Sequence, residues 1–524
     1  MREIPSSSLG IPTKAMATMI FLKKYSLLFI VFLTGACVLI IEVVATRILS
    51  PYYGNTIFTV SSIISIVLSA LSLGYYFGGK LADKHPSLKI FYSIILIGGA
   101  SVFLLELLNK ILLPFLGYGL SIISGPPVSA AVLFFLPSFF LGMLSPFAIK
   151  LQESRFPQKG IGEISGGIFF WSTLGSIFGS LLAGFVLIPK FGISQIVLAV
   201  AAVLAVLGLA PLIRLGVDKK TVSKISVFVG IVFLANIIPP ISNDNIIYSR
   251  DSVYGKIDIF DGEYRGKPVR FLQQDKSISG AKFLDSDELV FDYTKYYELY
   301  KIFKPEIRQA LVIGGGTYSI PKALLAGQPQ AGIDVAEIEP SLFALGEKYF
   351  NVPNDSRIKN YSQDGRRFLY ETKKQYDFIF SDVYYSLFSI PAHFTTEEFF
   401  KIARAKLSED GIFLANLIGN LKDEQPSLIL SEMKTFQSAF PNSYFFAVSS
   451  PASGGAQNII FAGYNSDKKI DFTKIGKNKF IPDLEQKLID IKKFDLNSQP
   501  KLTDNYSPVE YLTARVLKDS IKKN

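Results

Sequence analysis

The first 241 residues of this chain constrain its fold most, because they hold seven apolar stretches long enough to cross a bilayer. These cover residues 25–46, 57–79, 88–108, 128–149, 164–188, 193–213 and 225–241, the last being the shortest. A span needs roughly 20 apolar residues, and in lipid only helices and closed barrels satisfy their own backbone N–H and C=O groups. The expectation is a multi-pass helical membrane domain over 25–241, after a cytoplasmic segment over 1–24. Thr34-Gly35-Ala36-Cys37 resembles a lipoprotein cleavage site, but the apolar run continues through Val38, Leu39, Ile40 and Ile41. The first stretch is therefore read as a retained span.

Basic residues orient the spans. Arg2, Lys14, Lys23 and Lys24 precede the first, Lys80, Lys84 and Lys89 follow the second, Lys150, Arg155 and Lys159 follow the fourth, and Arg214, Lys219, Lys220 and Lys224 follow the sixth. Positive residues stay inside, so the N-terminus is expected in the cytoplasm of a multi-pass protein of the cell (inner) membrane. Seven full spans would put everything after residue 242 outside, and a re-entrant seventh would return it inside; the sequence leaves both open. Gly175 and Gly179 form a small-xxx-small pair for close helix packing, with Gly184 further along. Glu42 and Glu106 are ionisable residues within or at the ends of spans, where such groups are costly. The stretch Gly78–Lys84 reads as a short loop similar to a cytoplasmic turn of major-facilitator transporters.

A length of 524 residues suggests two or three domains. Cys37 is the sole cysteine and His85 and His393 the sole histidines, so no disulfide framework and no metal centre is expected. The net charge of +10 is explained by the loops between spans, and no basic helix with interleaved aromatics points to nucleic acid.

After Ser242 the apolar runs shorten and turn residues appear throughout. Residues 246–304 read as a small sheet of hairpins, with strands at 256–260 and 268–272, turns at Asp261-Gly262 and Arg265-Gly266, and a tyrosine-bearing helix over 287–304. Residues 305–515 read as an α/β Rossmann-like domain of the methyltransferase type, leaving a basic tail over 516–524. Its candidate strands are 310–314, 332–338, 357–361, 376–382, 411–417, 442–448 and 457–463. Its candidate helices are 319–327, 340–350, 364–373, 395–408 and 424–438. Regular alternation predicts a largely parallel sheet, with the last two strands as an antiparallel hairpin at its edge.

In such a sheet the ligand sits at the carboxyl ends of the strands. Gly314-Gly315-Gly316 follows the first strand and lets a ligand approach the backbone. Glu337 ends the second strand, 21 residues after Gly316, where a carboxylate can accept both hydroxyls of a ribose. Asp364-Gly365 follows the third strand and suits an adenine amino group, and Asp382 ends the fourth. The plainer readings are a tight glycine turn, surface charges at Glu337 and Glu339, and a cap at Asp382.

At these residues the chain resembles the polyamine aminopropyltransferases, the spermidine synthase family, and more closely its membrane-fused bacterial subgroup. The matching segments are Leu311–Gly316, Val335–Pro340, Gln363–Leu369, Tyr376–Asp382, Phe394–Phe399 and the tail segment Leu502–Glu510. The resemblance implies decarboxylated S-adenosylmethionine as cosubstrate, a small amine such as putrescine as acceptor, and spermidine and methylthioadenosine as products. It implies that Glu337 holds the ribose, Asp364 the adenine, and that Asp382 is the base. An alkylammonium with a pKa of about 10.4 must lose a proton before it can attack the carbon beside a sulfonium, and a carboxylate can attract it and take that proton. No metal is needed.

Several positions depart from the family. Its aspartate after the glycines is replaced by Thr317, followed by Tyr318; its second aspartate past the base is Tyr385. Its His-Glu pair falls at Thr294-Lys295, and its donor-binding glutamine falls near Ser279. These changes leave the nucleoside half of the site and alter the amine half, with Tyr318, Tyr385 and His393 as candidate substrate contacts and His393 as a substitute base. The expected partners are an amine acceptor, a lipid bilayer and a second copy of the chain in a homodimer, with no nucleic acid. Two other readings fit the same residues: an S-adenosylmethionine-dependent methyltransferase, and a non-catalytic transporter or sensor that binds a nucleoside or polyamine.

Overall fold

The computed structural model describes residues 14–216, 230, 245–384, 390–472 and 481–521. It divides into two compact units. One comprises residues 1–48, 60–119 and 125–240; the other comprises 241–524 with 49–59 and 120–124.

Six helical stretches of the first unit are long and apolar enough to cross a membrane: Ser26–Tyr53, Ile57–Lys84, Leu88–Ile111, Gly125–Arg155, Ile161–Lys190 and Ile193–Arg214. They coincide with the first six expected spans. The expected seventh, 225–241, lies outside the described residues apart from Gly230. Helix Ile57–Lys84 is continuous, so Gly78–Lys84 is helical rather than a loop. The glycine pair behaves as small residues in lipid do. A Cβ on Gly175 would lie 1.9 Å from the carbonyl oxygen of Phe32, and one on Gly179 would lie 2.3 Å from that of Ala36. Gly184, by contrast, has nothing within 4 Å of such a Cβ. Glu106 is fully buried. It accepts from Ser194 Oγ at 2.5 Å and from Asn109 Nδ2 at 3.3 Å, which offsets part of the cost of burying a carboxylate.

The second unit holds two sheets. The four-stranded antiparallel sheet runs β1 (Ile246–Asp251), β2 (Lys256–Tyr264), β3 (Lys267–Gln274) and β4 (Ser277–Phe283), in that order. The turn lies at Arg265-Gly266, both with positive φ (52° and 76°), as a tight two-residue hairpin turn requires. Asp261-Gly262, expected as a turn, lies inside β2. Asp261 faces Arg270 across the strands and accepts from its Nε at 2.8 Å, a pairing that holds the segment extended. The expected helix over 287–304 is a 3₁₀ helix, Asp292–Leu299, leading into one α-turn, Tyr300–Phe303. Tyr297 of the 3₁₀ helix and Tyr300 and Phe303 of the α-turn are all buried in the core.

The seven-stranded sheet has the order β10-β11-β9-β8-β5-β6-β7. Its strands are β5 (Gln309–Ile313), β6 (Gly332–Glu337), β7 (Ile358–Ser362), β8 (Tyr376–Ser381), β9 (Leu407–Gly419), β10 (Ser443–Ala447) and β11 (Gln457–Tyr464). The pairs among β5 to β9 are parallel, and β11 joins β9 and β10 antiparallel, as the edge hairpin was expected to. Alternate residues of β5 enter opposite cores: Ala310 and Val312 one, Leu311 and Ile313 the other. Helix Val509–Ile521 continues past residue 515, into the segment read as a basic tail.

Phe436, on helix Leu428–Ala439, is fully buried and meets the rings of Phe400, Phe440 and Phe461 at 5.0, 4.8 and 5.3 Å. Phe436→Ala should cost about 3–5 kcal/mol. Calorimetry of the detergent-solubilised chain should show an unfolding transition at clearly lower temperature; an unchanged thermogram would contradict this packing.

Candidate active site

Two loops meet where the chain reverses direction across the sheet. From β5 it runs outward through β6 and β7, then returns to the other side of β5 as β8. Such a switch point opens a crevice beyond the carboxyl ends of the strands. Gly314-Gly315-Gly316 leaves β5 here, and Asp382 follows β8. The amide of Asp382 donates to the carbonyl of Ile313 at 2.9 Å. Gly314 has φ +89°, and a Cβ there would lie 2.3 Å from the carbonyl oxygen of Asp382. Only glycine fits both the dihedral and the contact.

Glu337, at the end of β6, is 6% exposed. One of its oxygens accepts from Gly315 N at 2.6 Å, the other from Glu339 N at 2.8 Å. Burial pushes the carboxyl up, while these N–H groups and that of Gly316 oppose the shift. The carboxylate therefore braces the glycine loop and keeps lone pairs for further donors. Glu339 is also buried, accepting from Ser252 Oγ at 2.7 Å, so neither glutamate is a surface charge.

Asp364 caps helix Gly365–Glu371, accepting from Arg367 N at 2.9 Å. Its other oxygen lies 3.1 Å from His393 Nε2. Burial pushes its carboxyl up, but His393 and the backbone amides of Arg367 and Arg366 outweigh it and hold the group below the ordinary range. Gly365 packs against β5, where a Cβ would strike Ile313 at 2.1 Å.

Asp382 is partly buried. Asn416 Nδ2 donates to its Oδ1 at 2.9 Å, and the Tyr293 phenol also bonds its carboxyl. Burial pushes this carboxyl up, against the two hydrogen bonds. Asn416 is itself held: Asn458 Nδ2 donates to its Oδ1 at 2.9 Å, and Tyr384 Oη to its carbonyl at 3.0 Å. A cavity opens over Asp382, walled by Gly314–Thr317, Ser319, Ile320 and Phe380, by Ser279, Gly280 and Ala281 of β4, and by Leu289, Val290, Phe291, Tyr293 and Thr294.

The structure thus gathers Gly314, Gly315, Gly316 and Asp382 in the cavity wall, with Glu337 bonded to Gly315 but, like Asp364 and Gly365, not part of that wall. Tyr318, expected to touch substrate, is fully buried in the core. Its left-handed backbone (φ 58°) turns the ring beneath the glycine loop, and its hydroxyl donates to Asn360 Oδ1 at 2.5 Å. A Cβ on Gly315 would lie 2.7 Å from that ring. His393, expected as a substitute base near Asp382, is instead paired with Asp364 and is not part of the cavity wall. Tyr385 lies outside the described residues. Sequence reading missed Tyr293 and Asn416. Asn416 left a signal, a buried amide inside the apolar strand β9. Tyr293 left none, being one of several tyrosines in its segment. Among the described residues no cluster of three His, Cys, Asp or Glu could hold a metal.

Residues 269–474 match the family described as spermine/spermidine synthase domain. A polyamine aminopropyltransferase of Vibrio vulnificus (strain CMCP6) is 25% identical over 225 residues, which are 42% of this chain and 73% of that protein. Polyamine aminopropyltransferase 2 of Aquifex aeolicus (strain VF5) is 23% identical over 404 residues, 73% of this chain and 77% of that protein. That alignment is longer than everything after Pro240, so it extends into the apolar helices. Among solved structures, a probable spermidine synthase from Corynebacterium glutamicum ATCC 13032 is 20% identical, with a TM-score of 0.38 over 45% of this chain and 84% of that chain.

Behind Asp382, the Tyr384 phenol is pushed up by burial and then by the negative potentials of Asp382 and Glu432. Glu432 is 1% exposed, and its buried Oε2 has no hydrogen-bond partner. Burial alone pushes its carboxyl well above the ordinary range. A raised folded pKa means that the native state holds the proton longer, so stability falls as pH rises from the ordinary glutamate range toward the folded value. Glu432→Gln should therefore melt like the parent near pH 4 and higher than the parent near pH 8. Melting curves across that range test this; a constant difference would refute it.

Proposed function

We propose, from the membership of residues 269–474 in the spermine/spermidine synthase family, that this chain is an aminopropyltransferase anchored in a membrane by its apolar helices. It would transfer the aminopropyl group of decarboxylated S-adenosylmethionine to a small amine. The observation that carries the reading is the position of Asp382, at the switch point beside the glycine loop that Glu337 braces. Glu337 would take the ribose hydroxyls and Asp364 the adenine amino group, each retaining acceptor capacity beyond its internal contacts.

In the step itself the acceptor ammonium gives a proton to Asp382, and the freed nitrogen lone pair attacks the propyl carbon next to sulfur. The carbon–sulfur bond breaks with its electron pair left on sulfur, so the sulfonium becomes the neutral thioether methylthioadenosine. The burial that raises the Asp382 carboxyl makes it a better proton acceptor than a carboxylate in water. Asn416 and Tyr293 donate to it and fix its orientation. No metal enters this scheme.

Purified full-length protein, incubated with decarboxylated S-adenosylmethionine and a panel of amines, should release methylthioadenosine. Asp382→Asn should lower the rate by about a hundredfold or more, the usual contribution of a positioned base. Failure to release it with any amine, or a clear preference for S-adenosylmethionine, would overturn the reading. The donor is made inside cells, so the domain should share the cytoplasmic face with the N-terminus. Protease added to spheroplasts should leave a C-terminal tag intact, and cleavage of the tag would contradict this placement.

A further inference from the structure

We infer that Asn458 is a positioning residue for the proton-accepting carboxylate: it holds the Asn416 amide with its N–H end turned on Asp382. This rests on the aminopropyl-transfer reading and adds to it a residue that is not part of the cavity wall and acts through Asn416. Asn416, on β9, pairs with Ile460 of β11, and Asn458 pairs with Ile418. Asn458 and Ile460 are two residues apart, so both point to the face that carries Asn416, and the two amides are diagonal neighbours across the strands. On the same face, Ile412, Leu414, Ile460 and Ala462 belong to one apolar core cluster. A buried amide is costly there unless it is hydrogen-bonded, so packing alone does not account for the pair.

The direction of both amides follows from the carboxylate. An ionised Asp382 only accepts, so it takes the Nδ2 end of Asn416, at 2.9 Å. That leaves Asn416 Oδ1 facing β11, where it accepts from Asn458 Nδ2, also at 2.9 Å. Tyr384 Oη donates to the backbone carbonyl of Asn416 at 3.0 Å, a contact that holds the strand but not the direction of the side-chain amide. A reversed Asn416 would set its own NH₂ group against that of Asn458, donor against donor.

The consequence falls on the protonation of Asp382. A protonated Asp382 could donate to a reversed Asn416, which would stabilise the acid; the Asn458 contact disfavours that arrangement and so favours the carboxylate. With a side chain at this position that does not donate, Asn416 can turn to suit either form, and the Asp382 carboxyl rises further. Asn416, from β9, and the Tyr293 phenol, from the segment before β5, bond Asp382, while Tyr384 on its own loop and Glu432 on helix Leu428–Ala439 stand behind it. A change at Asn458 alters none of these groups. The bonds made and broken are those of the step above; what changes is the pH range over which Asp382 is ready to take the proton.

The test is the pH profile of kcat/KM for methylthioadenosine release by purified full-length protein, with decarboxylated S-adenosylmethionine and the amine that the parent turns over fastest. Its acid limb reports the base of the free enzyme. Asn458→Leu should move that limb to higher pH by about one unit, a loss of about tenfold on the slope that recovers toward the parent at higher pH. Asn458→Asp, which keeps the volume and can only accept, should move it at least as far, and it decides the question if the leucine variant does not fold. In an Asn416→Leu background the Asn458→Leu change should move the limb no further, because its effect runs through the Asn416 amide. A limb that stays in place, with or without a lower plateau, overturns the proposal, as does an equal shift in both backgrounds. Absence of methylthioadenosine with every amine is a different failure, because it removes the transfer reading itself.

Discussion

At the centre of the seven-stranded sheet, β5 and β8 end side by side, and the amide of Asp382 donates to the carbonyl of Ile313 at 2.9 Å. The next residue after Ile313 is Gly314, whose missing side chain lets the two backbones touch. Any L-residue there would face a forbidden dihedral and a 2.3 Å contact together. The loop that would carry the donor and the residue that would take the proton are therefore placed by one contact. Elsewhere around the crevice, groups are added to this pair: Glu337 braces the loop from β6, and Asn416 steadies Asp382 from β9.

The three carboxylates Asp364, Glu337 and Asp382 differ in what holds them. Asp364 is paired with His393 and two backbone amides, and is held below the ordinary range as a fixed acceptor. Glu337 has only backbone donors and remains a hydrogen-bonding brace. Asp382 has neutral side-chain donors, Asn416 and Tyr293, and is pushed up. A group meant to receive a proton is best served by donors that orient it without a full positive charge, because a cation beside it would lower its basicity. His393 lies beside Asp364 rather than Asp382.

The succession of strands and helices and the places of Gly314, Glu337, Asp364 and Asp382 at strand ends were legible in the sequence, because each depends on local pattern. Apolar runs end in glycine or a carboxylate at the same point of each strand–helix unit. The misses have a different origin. Arg270, nine residues away in the neighbouring strand, kept Asp261-Gly262 extended, and turn composition alone cannot show a cross-strand partner. Tyr318 looked available because it follows the glycines, but its left-handed backbone sends the ring into the core. Tyr293 and Asn416 reach Asp382 from segments 89 residues before and 34 residues after it, distances over which no local pattern reports. Tyr297 lies in the 3₁₀ helix and Tyr300 and Phe303 in the α-turn, and i, i+3 spacing belongs to both patterns.

The same long-range assembly sets the composition of the cavity wall. A polar acceptor site could be built either from several carboxylates or from one carboxylate and an excluded-water surface. The first selects by charge; the second selects by the cost of desolvation, at about 0.8 kcal/mol gained per buried CH₂ and several kcal/mol lost for an ion buried without a partner. β4 and the segment Leu289–Thr294 contribute hydroxyls and apolar side chains to this wall, while Arg265 draws the Asp292 carboxylate away from it. Among the described residues, the wall beside Asp382 thus carries one carboxylate amid hydroxyls and apolar side chains.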